Sequence, residues 1–172
     1  MKELKVDLFN SKKERVATTI ELSKFSIFVG NDVDNIKTII SKAIIENSVY
    51  GYEDFGSANC VSDHKNLVYR FVRNHHNKNK IAVIHTDSQF VLYTFNNLIF
   101  NYIVKDKMPA DLRDEMTCKD LMIDPNDIMI YQVEDGIVNR IQNKDGLIEH
   151  NCFDNEMSII MNDFYKMIDY YV

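Results

Sequence analysis

The chain has 172 residues, enough for one domain with a real hydrophobic core and too few for two independent catalytic domains. Hydrophobic residues make up 45% and aromatics number 19, which excludes a disordered tail, while the net charge of −6 argues against a general binder of phosphate backbones. Apolar runs all fall short of the ~18 residues of a membrane span, and Met1 to Lys5 lacks the apolar core of a signal peptide, so the expected location is the cytoplasm.

Leu4, Val6 and Leu8 alternate with polar residues, Asn10 to Lys13 turns the chain, and Val16, Thr18, Ile20 and Leu22 alternate again. This pattern predicts an antiparallel hairpin. Phe25 to Val29 is a continuous apolar run closed by Gly30, the pattern of a strand buried on both faces. Ile36, Ile39, Ile40, Ala43 and Ile44 then fall at helical spacing. Val49 to Tyr52 reads as a brief strand ending at Glu53 and Asp54. Ser62 and Asp63 offer a cap for a helix that turns Leu67, Val68, Phe71 and Val72 inward.

A polar stretch from Asn74 to Lys80 ends that helix, and His75 and His76 are expected in solvent there. Ile81 to Ile84 reads as a second fully buried strand, followed by a helix with Val91, Leu92, Phe95, Leu98, Ile99 and Tyr102 on one face. Strand and helix alternation of this kind predicts an α/β sheet with parallel strands. Lys105 to Asp127, with two prolines and seven acidic residues, reads as an irregular connection holding one short helix. Ile128 to Val133 and Ile137 to Ile141 flank Asp135-Gly136, a strong hairpin signal. A last helix, capped by Asp154, would carry a stripe of Met157, Ile160, Met161, Phe164 and Ile168. Cys60, Cys118 and Cys152 are far apart and odd in number, which predicts reduced thiols, and His64, His75, His76, His85 and His150 lack the spacing of a ligand set.

Three segments in order resemble the nucleotide-binding heads of soluble ABC-type ATPases, the group that includes SMC-like repair proteins and the ATPases of phage-defence systems. Leu22 to Ile40 is similar to the family's strand, P-loop and helix. Val49 to Ser57 resembles the hydrophobic strand and acidic pair of a Walker B motif, and Ile81 to Ile99 resembles the strand, switch and helix that follow. The resemblance implies a single head-like domain over residues 1–172. Its fold would be an α/β three-layer sandwich around a mixed, mainly parallel sheet. The strands ending at Val29, Tyr52 and Ile84 would form its buried centre, with the opening hairpin at one side.

The departures from the family pattern carry the functional expectation. A working GxxxxGK[ST] loop needs a second glycine, a lysine and a hydroxyl, and in register from Gly30 those places hold Asn35, Ile36 and Lys37, followed by Thr38. Lys37 is displaced by one residue, about 100° around a helix. The acidic pair survives as Glu53 and Asp54, with an aspartate where the family places its catalytic glutamate. Asp87 replaces the histidine of the switch and adds negative charge. Only 14 residues separate Thr38 from Glu53, so the glutamine loop, the helical arm and the signature segment are absent.

The expected function is therefore a pseudo-ATPase head with no catalytic residues and no cofactor. Glu53, Asp54 and Asp87 would be catalytic remnants, and Gly30, Asn35, Ile36, Lys37 and Thr38 remnants of a nucleotide site. It would act by binding protein, either a second copy of itself or a host ATPase. A high content of Ile (20) and Asn (18) fits an AT-rich source, and with the family's company points to a phage product directed at a defence ATPase in the host cytoplasm. Tyr165, Tyr170 and Tyr171 are the candidate interface for self-association, and the face around Gly30 and Asp87 the candidate for docking on an ATPase. Two other readings stand beside this one: an ATPase binding ATP and magnesium through Lys37, and a DNA-end or nuclease accessory module using Arg70, Arg73, Lys78 and Lys80.

Overall fold

The structure, a computed structural model, describes residues 2–46, 49–55, 61–76, 78, 80–115 and 120–148. The chain opens with the hairpin β1 (Lys2–Phe9) and β2 (Arg15–Leu22), paired antiparallel with Leu4 opposite Ile20. Asn10 shapes its turn by accepting the N–H groups of Lys12 and Glu14 on its side-chain oxygen. Next come β3 (Phe25–Val29), α1 (Val33–Ile45), β4 (Val49–Asp54), α2 (Val61–His75), β5 (Ile81–Thr86) and α3 (Gln89–Val104). After the short helix α4 (Ala110–Asp114) and a 3-10 turn at Pro125–Asp127, β6 (Ile128–Glu134) and β7 (Ile137–Arg140) close the described fold.

The main sheet runs β4-β5-β3-β6-β7, with the first four strands parallel and β7 antiparallel to β6. Every residue of β3 is buried, because helices or the hairpin cover both of its faces. On one face Phe25, Ile27, Val29, Ala82 and Ile84 pack against Val68, Phe71 and Val72 of α2 and Leu92, Phe95 and Ile99 of α3. Phe71 holds this layer together, its ring 6.0 Å from those of both Phe25 and Phe55. On the other face Phe28, Val83, Met129, Tyr131 and Val133 meet Ile36, Ile39, Ile40 and Ala43 of α1 and the inner side of the hairpin. The result is an α/β three-layer sandwich. α1 carries β3 outward to β4 over one face and α2 returns the chain to β5 over the other, the alternation that right-handed crossovers require.

Five expectations change. β4 lies at the edge of the sheet rather than in its centre, and Tyr52 is exposed there. The segment is too polar beyond Tyr52 to be covered on both sides. The β1-β2 hairpin does not extend the main sheet but forms a two-stranded sheet of its own, laid over the α1 face by Leu4, Val6 and Leu8. Ile44 sits on the solvent side of α1, since the buried stripe ends at Ala43. His75 is buried in the last turn of α2, with its ring centre 4.4 Å from that of Phe71 at a tilt of 32° and its Nδ1 2.9 Å from the Phe71 carbonyl. The helix itself begins at Val61, which places Ser62 inside its first turn rather than at its cap. The expected helix from Asp154 lies outside the described residues, as do Cys60, Cys118, Cys152 and His150.

Candidate functional site

Parallel pairing brings the three family-like segments to one edge of the sheet. Val29 is opposite Thr86, and Asp54 is opposite His85, so Gly30 and Asp87 follow strand ends and Asp54 ends its own strand on the same side. They do not converge on one point. β5 stands between β3 and β4, which separates Gly30 from the acidic pair by two strand spacings, roughly 10 Å.

The turn after β3 is short. Only Gly30, Asn31 and Asp32 precede the first residue of α1, and Asn35 is already inside the helix. A phosphate loop needs a longer run of free N–H groups to surround its ligand. Gly30 is glycine for a different reason: its φ is +132° and an added Cβ would lie 2.4 Å from the Val133 carbonyl oxygen, so β6 passes directly against it. Asn35, buried, holds the hairpin to the helix. Its side-chain oxygen accepts the Phe9 N–H at 3.0 Å, and its Nδ2 donates to the Phe9 carbonyl at 2.7 Å and to Asp32 at 2.8 Å. Ile36 is buried in the core, and the Thr38 hydroxyl donates back to the Asp34 carbonyl of its own helix. Lys37 is exposed and lines, with Thr38, Ser41, Lys42, Ile45 and Glu46, a separate hollow of about 550 Å³ along α1.

A cleft of about 700 Å³ opens beside Gly30, toward β6 and the hairpin turn rather than toward β5. Its floor is Gly30 and Val133, and its walls carry Asp32, Asp34, Glu134 and Asp135, with no Lys, Arg or His in the lining. Two of the carboxylates join loops: Asp32 accepts the Gly136 N–H at 2.9 Å, and Asp135 accepts the Ser11 N–H. Asp87 is not part of this lining. Glu134 and Asp135 are a hundred residues from Asp32 in sequence, and only the sheet order reveals that they share a cleft.

At the acidic pair, Asp54 lies 3.4 Å from Nδ1 of the buried His85 and 3.4 Å from the Tyr52 hydroxyl. Partial burial, then the Asp54 charge, holds the Tyr52 hydroxyl above its ordinary pKa, although the residue as a whole remains exposed at the sheet edge. Nε2 of His85 is buried and makes no hydrogen bond among the described residues. The sequence pattern gave no sign of this pairing, because His85 and Asp54 meet only through strand register. Ser88 likewise bonds His64, Oγ to Nδ1 at 2.9 Å, fastening the start of α3 to α2.

Arg70, Arg73, Lys78 and Lys80 are all exposed, grouped around the end of α2 and the turn beyond it. Tyr165, Tyr170 and Tyr171 lie outside the described residues. Among the described residues no group of three or more His, Cys, Asp or Glu side chains is arranged to hold a metal ion, and no helix is long and apolar enough to cross a membrane. The chain matches no protein-family model, no curated protein and no solved structure.

Proposed function

We propose that this chain is a non-catalytic, ABC-ATPase-like head that acts by binding another protein, with a defence ATPase of a host cell as the partner class to which the sequence resemblance points. The observation that carries the reading is the state of the Gly30 turn. The position of the second P-loop glycine is occupied by Asn35, whose amide is spent on the Phe9 backbone. The position of the lysine is occupied by the buried Ile36. A triphosphate placed at Gly30 would face four carboxylates and no cation in the cleft lining, a repulsive arrangement.

The competing reading, in which Lys37 takes over the phosphate contact, has to bring that side chain from outside the lining of the cleft. A thermal-shift titration with ATP and magnesium separates the two. A ligand at a hundred times its Kd adds about 2.7 kcal/mol of stability, which a melt would register clearly. The expected result is an unchanged melting temperature. A dose-dependent rise that Lys37→Ala abolishes would favour the nucleotide-binding reading instead.

A further inference from the structure

We propose that the cleft between the Gly30 turn, the β1-β2 turn and the β6-β7 turn is the docking surface for a lysine- or arginine-bearing segment of the partner protein; this rests on the reading that the chain acts by binding protein. The rim of the cleft is apolar and open to solvent. Phe9, in the lining, is 56% exposed, and Ile137 and Val33 are 53% and 39% exposed. Ile137 lies opposite Glu134, a residue of the lining, across the β6-β7 pair, and Val33 stands between the lining residues Asp32 and Asp34 in the chain. Exposed aromatic and branched side chains around a concavity are what a partner covers.

The interior selects what can enter. Asp32 accepts the Gly136 N–H and Nδ2 of Asn35, Asp135 accepts the Ser11 N–H, and Glu134 accepts from Gln132 at 3.1 Å, but an ionised carboxylate offers about four acceptor sites. Most of that capacity remains for a ligand. Asp34 lies in the first turn of α1, where it complements the helix dipole, yet no described side chain donates to its carboxylate. Lys12, Lys13 and Lys37 lie outside the lining. An occupant that matches both features has a cationic head for the carboxylates and an apolar stem for Phe9 and Ile137. Lysine and arginine side chains have that construction. The net charge of −6 adds long-range steering for a basic partner and disfavours nucleotides and nucleic acids.

The test uses the full chain and a fluorescein-labelled heptapeptide of alternating Arg and Leu, with a Glu-Leu peptide and spermine as comparison probes. Fluorescence anisotropy should show saturable, salt-sensitive binding of the basic peptide and none of the acidic one. Asp34→Asn with Glu134→Gln removes two charges that join no other element, and should weaken binding roughly five- to tenfold. Phe9→Ser should weaken it as well. Amide NMR shifts should be confined to Phe9 to Ser11, Asn31 to Asn35 and Gln132 to Ile137. Equal binding by the double variant, shifts spread over the whole surface, or spermine binding as tightly as the peptide would each overturn the proposal. Its failure is distinguishable from that of the functional reading: an absent peptide signal with no response to ATP leaves protein binding to another face, whereas ATP turnover removes the functional reading whatever the peptide does.

Discussion

Asn35, which the sequence resemblance sets at the place of a P-loop glycine, ties the hairpin to α1. Its side-chain amide pairs with the Phe9 N–H and carbonyl much as a neighbouring strand would, and it is almost fully buried. Asn35→Ala leaves both Phe9 groups without partners, and urea unfolding should show a loss of about 2–4 kcal/mol. Gly30→Ala should lose about 2–3 kcal/mol, because the new Cβ meets the Val133 carbonyl and φ is positive. Neither effect should depend on ATP. A third residue-scale prediction concerns acid. Burial opposes ionisation of Asp124, but N–H donation from Asn126 and the Tyr102 hydroxyl at 2.7 Å outweigh it, so its pKa falls below the ordinary 3.8. A depressed carboxyl pKa contributes stability that is complete above the unfolded value and is lost as pH falls through the folded one. Unfolding midpoints followed from about pH 6 to about pH 2.5 should therefore drop more steeply below the ordinary value in the native chain than in Tyr102→Phe.

At the scale of elements, the most legible parts of the sequence were those set by local pattern. Phe25 to Val29, apolar except for Ser26, and Ile81 to Ile84, apolar throughout, became interior strands. Asp135-Gly136 became a two-residue turn with φ of 50° and 75°, as its composition predicts. What the pattern could not give was placement. The edge position of β4 depends on α1 carrying the chain past the site that β5 later fills, and no feature of Val49 to Asp54 records that. His75 illustrates the same limit, since a histidine in a polar stretch is buried by contact with the Phe71 ring and by the close approach of Gly51. The acidic cleft was half legible: Asp32 and Asp34 adjoin Gly30 in sequence, whereas Glu134 and Asp135 arrive through pairing of β3 with β6.

The hairpin gives the prediction that belongs to this scale. Tyr131, stacked 5.6 Å from Phe28, donates its hydroxyl to the Glu21 carbonyl at 2.7 Å and so ties β2 to the main sheet. Tyr131→Phe should cost about 1 kcal/mol. Amide exchange should quicken in β1 and β2 while β3 and β5 keep their protection.

For the whole molecule, three layers and two apolar cores account for the described fold without any ligand in the Gly30 turn. The parallel strands bring Gly30, Glu53, Asp54 and Asp87 to one end of the sheet. Their separation, the short turn and the carboxylates of the cleft are the physical grounds for reading the edge as a surface rather than a catalytic centre. The measurement that bears most directly on this is phosphate release from ATP with magnesium, comparing the native chain with the Glu53→Ala, Asp54→Ala double variant at equal concentration. The account predicts equal, background rates for the two proteins. Turnover by the native chain that the double variant lacks would contradict it.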